Sequence, residues 1–232
     1  MYISRLYINT ARTGAQRLVG SPYRMHAAVE AAFPPGANRA TEQGRILWRL
    51  DALASDRQAL ALYVVSPERP DLTHIVEQAG WPGTTGWETR DYTPLIERIG
   101  PGQHWNFRLK ANPTRKVAED KGRVPREGVV GSIQGHATPE QQLGWLADRG
   151  AANGFSLASA PGSPTAVVTQ SRKERFRRGK SEVTLSTAVF DGVLRVEDAG
   201  LFRRALCHGI GRAKGFGCGL ITVAPVEARW TS

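Results

Sequence analysis

The order of hydrophobic patterns constrains this chain most: strand, helix, strand, strand, helix, strand, met in the first hundred residues and again in the remainder. "YISRLYIN" has strand length and is followed by a polar loop, "TARTGAQRLVG". A helix then runs from Ser21 to about Phe33. "GRILWRLD" alternates Ile46, Trp48 and Leu50 against Arg45, Leu47 and Arg49, as a half-buried strand does. "ALALYVVS" is an apolar run of strand length, "LTHIVEQAG" a short helix closed by Gly80, and "YTPLIERI" supplies the last strand. This is the ferredoxin-like order, shared with RNA-recognition modules.

The second half repeats it. "HWNFRLKANP" reads as a strand, and "TPEQQLGWLADRG" as a helix opened by a Thr138–Gln141 capping box with Pro139 in its first turn. "TAVVTQ" and "SEVTLSTAVF" are strands around a highly charged turn, with "VLRVED" a further short strand. "AGLFRRALCHGI" is a helix and "GLITVAP" the closing strand. Residues 112–137 form a basic connection containing Gly and Pro, expected to be mobile when nothing is bound. The expected fold is α+β, two tandem ferredoxin-like (RRM-like) β-α-β-β-α-β domains spanning 1–100 and 101–232.

Charge narrows the function. The chain has 31 basic and 21 acidic residues, net +10, the footprint of a protein that meets a polyanion. Residues 1–50 carry net +5, residues 51–100 net −4, and residues 101–232 net +9, so the cationic surface draws on the two ends of the sequence. No apolar run approaches the ~18 residues of a membrane span, and "MYISRLYIN" is too short and too interrupted for a signal peptide. With only Cys207 and Cys218 and no secretion signal, a cytoplasmic location is expected, the cysteines being small buried hydrophobes rather than metal ligands.

Three stretches carry chemistry. In "SPYRMHAAVEAAFP" Ser21 is a suitable N-cap and Pro22 suits the first turn. Met25, Ala28, Val29, Ala32 and Phe33 form a buried stripe, and Tyr23, His26 and Glu30 neighbour one another beside it. "GIGRAKGFGCGL" places Gly209, Gly211, Gly215, Gly217 and Gly219 around Arg212 and Lys214, a loop able to point several N–H groups at a phosphate. "SRKERFRRGK" sets Arg172, Lys173, Arg175, Arg177, Arg178 and Lys180 against the single acid Glu174 at a hairpin tip. Such density calls for an anion, and the phosphate-lined groove of duplex RNA fits a slender basic element. Arg108, Lys110, Arg115 and Lys116 extend the track.

No carboxylate cluster suggests a two-metal nuclease. Cleavage of RNA without metal or cofactor uses the substrate's own 2′-hydroxyl, and needs a base, an acid and cations around the phosphorane. Histidine as a residue type suits such work near neutral pH, which makes His26 a candidate; Tyr23 can hold the phosphate or assist proton transfer, and Glu30 can orient the imidazole. The bland alternative is a histidine packed at the edge of a core.

"SPYRMHAAVEAAFP", "FRLKANPTRK", "EQQLGWLADRGAANGFSL", "VTLSTAVFDGVLRVED" and "GIGRAKGFGCGLITVAP" occur here in the order in which the CasE family carries them. The chain thus resembles the CRISPR RNA-processing endoribonucleases of type I-E Cascade from its first strand to Pro225. The resemblance implies twin ferredoxin-like domains and metal-independent cleavage at the 3′ base of a repeat hairpin, leaving a 2′,3′-cyclic phosphate. It implies catalytic roles for His26 and Tyr23 and a grip on the RNA stem by Arg172–Lys180. It also implies retention of the crRNA and partnership with the other Cascade subunits; in isolation a monomer is expected. Arg24, Lys173 and Lys214 are candidates for the cation that stabilises the transition state. The competing reading is a non-catalytic subunit that only holds a hairpin RNA.

Overall fold

The computed structural model describes residues 1–54, 56–83, 86–118, 130–158 and 166–226. In the N-terminal half β1 (Tyr2–Asn9) lies between β3 (Ala59–Ser66) and β4 (Trp87–Asp91), and β2 (Leu47–Ala52) flanks β3. The order β2-β3-β1-β4 is antiparallel throughout, the ferredoxin-like arrangement. Three helices, α1 (Thr13–Val19), α2 (Pro22–Glu30) and α3 (Thr73–Ala79), cover one face. They bury Leu18, Met25, Val29 and Ile75 against Leu6, Ile8, Leu62 and Val64 of the strands.

Helix α1 occupies what was expected to be a loop. Its residues are mostly polar, but Ala15 and Leu18 are one turn apart and both reach the core. Arg12 ties the helix start down by donating to the carbonyls of Val76, Glu77 and Gly80 at the end of α3. "YTPLIERI" also departs from expectation: it forms the helix α4 (Thr93–Arg98), and the last strand lies just before it. Asp91 decides this by accepting from the amide of Thr93 at 2.9 Å, with Pro94 fitting the first turn. The preceding strand is polar, held at the sheet edge by Ser4–Thr89 and Arg5–Glu88 side-chain bonds across the ladder.

The C-terminal sheet is built on β5 (His104–Ala111), with β11 (Ile221–Pro225) on one side and β10 (Ser181–Val196) on the other. Two strands share the outer lane along β10: β8 (Phe155–Leu157) pairs with its end, and β9 (Ala166–Arg178) with the rest. The segments expected as two strands are thus one 16-residue strand, irregular in register at Val189/Phe190. Residues 171–178, expected in a turn, continue β9; only Gly179 and Lys180 make the turn, with Gly179 at φ 59°.

Helices α5 (Pro139–Ala152) and α6 (Ala199–His208) cover the sheet, packing Trp145, Leu146, Phe202 and Leu206 on Phe107, Phe155 and Phe190. Thr138 accepts from the Gln141 amide as the capping pattern predicts. In the connection, β6 (Thr114–Lys116) and β7 (Ile133–Gly135) form a small ribbon, and residues 119–129 lie outside the described residues. No helix among the described residues is long and apolar enough to cross a membrane.

Strand β2 is buried on both faces rather than one, because the second sheet covers the face expected to meet water. Arg49, only 1% exposed, uses all five of its N–H donors. Two go to the Asp51 carboxylate at 2.8 Å, two to the carbonyls of Arg108 and Leu220, and one to the Thr222 hydroxyl. One side chain thereby ties the N-terminal sheet to β5 and β11.

Candidate nucleic-acid interface

Helix α2 is oriented by its apolar stripe. Met25 and Val29 are buried, so Tyr23 and His26 on the neighbouring flank reach the surface, with 40% of Tyr23 and 34% of the His26 side chain exposed. The helix stops at Glu30, and Ala32 and Phe33 complete the stripe from the following turn. Ser21 is extended, as an N-cap must be, but its hydroxyl makes no capping bond.

His26 has close neighbours at the surface. Its Nδ1 stands 3.8 Å from Glu30 Oε1, near enough to pair when charged but too long for a hydrogen bond. The other Glu30 oxygen accepts from Arg39 Nε at 3.3 Å, and Arg39 also donates to the carbonyls of Pro34, Pro35 and Ala37. Glu30 is therefore shared between the imidazole and an arginine that closes the chain after α2.

The glycine loop comes to the same place. Its single 3-10 turn, Lys214–Phe216, packs on α2 and β2. Gly215 faces the imidazole so closely that a methyl group there would stand 3.5–3.8 Å from three ring atoms. Phe216 meets the same ring edge-on, with centroids 6.2 Å apart. Gly217 presses on Trp48, where a Cβ would come within 2.6 Å of the indole at a backbone φ of 76°. These glycines seat the loop firmly on its neighbours; it is not a slack connector.

Phe176, the one apolar residue of the basic segment, is buried against Phe216 at 4.9 Å. The line His26–Phe216–Phe176 thus joins the three stretches that the sequence marks separately. Around it lies the cationic surface: Arg24 on α2, Arg172, Lys173, Arg175, Arg177 and Arg178 along β9, Lys180 at the tip, and Arg212 in the loop, all exposed. A cleft of about 470 Å³ opens between Pro22, Met25 and Trp48 on one side and Lys110, Arg172 and Arg175 on the other.

Other residues of the predicted track are placed differently. Arg108 is held by both oxygens of Asp191 at 2.6 and 3.0 Å, with Asp51 a further 4.0 Å contact. Lys110 is paired with Glu174 at 2.9 Å. Both charges are therefore balanced within the protein. Arg115 and Lys116 stand exposed on the separate β6–β7 ribbon. Of the remaining histidines, His74 bonds the Ala28 carbonyl beneath α2 and His208 that of Glu42. Both cysteines are free and buried, burial pushing the Cys218 thiol up to about 12.

Sequence reading missed Arg39, Arg45 and Phe216. Nothing in the spacing of a loop cation or a loop phenylalanine shows what the fold will set against it. Lys214 was foreseen, but not its setting: burial first, and then the charge of Arg45, hold its ammonium below the usual lysine range.

Twin ferredoxin-like halves, with a cationic strand and a glycine loop gathered round an exposed histidine, define a protein of the RNA-recognition-like class. Comparison with known proteins narrows this. A model of the family described as CRISPR associated protein matches residues 1–225. The chain is 29% identical over 233 residues to the CRISPR-associated endoribonuclease Cse3 of Thermus thermophilus, covering 97% of this chain and all of that one. It is 25% identical to the Cascade subunit CasE of Escherichia coli, with the same coverage. Thermus thermophilus Cse3 bound to an RNA representing a pre-cleavage complex matches with a TM-score of 0.76 at 25% identity, over 97% of this chain and 98% of that one. This chain belongs to the CasE family of CRISPR-associated proteins.

Proposed function

We propose that this protein is an endoribonuclease of precursor CRISPR RNA that binds a repeat stem-loop, cuts at the 3′ base of the hairpin and keeps the product as a Cascade subunit. The convergence of His26, the glycine loop and β9 on one line carries the reading. The endoribonuclease and Cascade-subunit names of its relatives support it. The cations of β9, which have no acidic partner among the described residues, hold the stem, and the cut strand crosses α2 beside Tyr23 and His26. The chain works as two units, 1–100 and 101–232, in the cytoplasm, where its two free cysteines stay reduced.

Chemically, the 2′-oxygen bonds to phosphorus as the P–O5′ bond breaks. The 2′-hydroxyl loses its proton to a base and the departing 5′-oxygen gains one from an acid. His26, half-exposed and fixed between Glu30 and Phe216, serves as one proton carrier, and Tyr23 lies one turn away on the same helix. The step consumes no co-reactant and yields a 2′,3′-cyclic phosphate.

The test compares wild type with His26→Ala on an end-labelled repeat hairpin in EDTA. Cleavage should fall about 10²- to 10⁴-fold with binding nearly retained, and a 2′-deoxy residue upstream of the cut should abolish it. Equal cleavage by both proteins would move the active site elsewhere. Binding without cleavage by either would favour the subunit that only holds RNA.

A further inference from the structure

Arg39 stands nine residues after Glu30 in the chain and beside it in the fold. Its Nη1 donates to the carbonyls of Pro34, Pro35 and Ala37 at 2.8, 3.3 and 2.7 Å, and its Nη2 to that of Phe33 at 3.5 Å. Those bonds fix the guanidinium against the turn that follows α2. Its Nε reaches Glu30 Oε2 at 3.3 Å. The carboxylate is therefore not free to swing: Oε2 is held by Arg39, and Oε1 is left facing His26 Nδ1 at 3.8 Å, one turn back on the helix. All three side chains are about one-third exposed, so neither pair adds much stability. What the arrangement fixes is direction.

A neutral imidazole carries its proton on one nitrogen and a lone pair on the other, and the neighbours of the ring decide which. A carboxylate oxygen opposite Nδ1 attracts an N–H there and repels a lone pair. We propose that Arg39 and Glu30 are positioning residues for His26: Arg39 holds Glu30, and Glu30 keeps the proton on Nδ1, leaving Nε2 free to accept. In the cleavage step the proton of the 2′-hydroxyl passes to Nε2 as the 2′-oxygen bonds to phosphorus and the P–O5′ bond breaks. The departing 5′-oxygen takes a proton from solvent, and the imidazolium, which faces Glu30 Oε1, later returns its own there. Neither Glu30 nor Arg39 touches the RNA in this step. The inference rests on the endoribonuclease reading, which makes His26 a proton carrier.

Long-range proton–nitrogen correlation NMR reads the tautomer directly, with the His26 signals identified by their absence in His26→Ala. In mildly alkaline buffer the wild-type ring should carry its proton on Nδ1. In Glu30→Gln the Arg39 Nε–H should draw the amide oxygen, leaving the NH2 group to face Nδ1, and the proton should move to Nε2. Single-turnover cleavage should then fall between about 10- and 10²-fold, while affinity for a hairpin with a 2′-deoxy residue at the cut stays near wild type. Adding Arg39→Met frees the amide to turn its oxygen to Nδ1, so the double variant should recover the Nδ1 proton and part of the rate. A merely structural Arg39 would instead make the two losses add, and that result would overturn its role. Glu30→Gln keeps every bond from Arg39 to the backbone, so its tautomer tests the proposal even if Arg39→Met does not fold. If His26→Ala is impaired but wild-type His26 is protonated on Nε2, or Glu30→Gln cleaves at the wild-type rate, the positioning roles are wrong and the nuclease reading stands. Equal cleavage by wild type and His26→Ala overturns both.

Discussion

Gly215 and Gly217 stand two residues apart, and their surroundings predict opposite behaviour. Gly217 has φ 76° and leaves no room for a side chain above Trp48, so Gly217→Ala should cost more than ~1–2 kcal/mol, the left-handed backbone penalty alone. Gly215 has ordinary backbone geometry, and an added methyl group would only touch the imidazole at van der Waals distance. Gly215→Ala should therefore change stability by no more than about 0.5 kcal/mol while slowing cleavage, because the methyl covers one face of His26. Thermal unfolding and single-turnover cleavage together check the pair; a Gly215→Ala enzyme of full activity would mean the substrate does not approach over that face. His26 was legible in the sequence, since helical spacing alone sets it beside the buried stripe. Phe216 was not: its meaning comes from His26, which only the tertiary fold brings near.

At the level of elements, the sequence was read well where burial imposes a period and poorly where a polar segment borrows its structure from neighbours. Strands β1, β2, β3, β5, β10 and β11 and the helices α2, α3, α5 and α6 follow from their apolar spacing, whereas the polar β4 and the short β8 do not. Helix α1 depends on Arg12 and α3, and α4 on one Asp91 turn, signals too local or too distant for periodicity to reveal. The basic segment was the most consequential misreading. Charge density suggested a turn, yet pairing with β10 and the buried Phe176 make it a strand. This alters the RNA-binding prediction in a useful way. On a strand the cations are spaced along a straight edge, so Arg175→Glu and Arg177→Glu should each weaken hairpin binding and flatten its salt dependence. Cleavage at saturating protein should stay near wild type, because neither residue belongs to the line through His26. A fall in the saturated rate would place β9 in the chemistry as well as in binding.

Across the whole molecule, the site exists only while the two halves keep their relation, since His26 comes from one and Gly215, Phe216 and Phe176 from the other. Arg49 is the main polar tie between them, and it had been read as a solvent-facing strand residue. Its removal in Arg49→Met would leave the Asp51 carboxylate, two carbonyls and the Thr222 hydroxyl without that donor in a buried place. Such a loss should destabilise by about 3–5 kcal/mol. Arg49→Lys should rescue little, because a point charge with three donors cannot reproduce the planar fork. Urea unfolding followed by tryptophan fluorescence and far-UV dichroism tests this, with Trp48 reporting from the N-terminal sheet and Trp105 and Trp145 from the other half. If Arg49 couples the halves, the variant's two signals should separate into distinct transitions, and cleavage should be lost at the first. Coincident transitions with an unchanged midpoint would show that the apolar contacts of Leu47, Val65 and Tyr92 with the second core hold the halves together unaided.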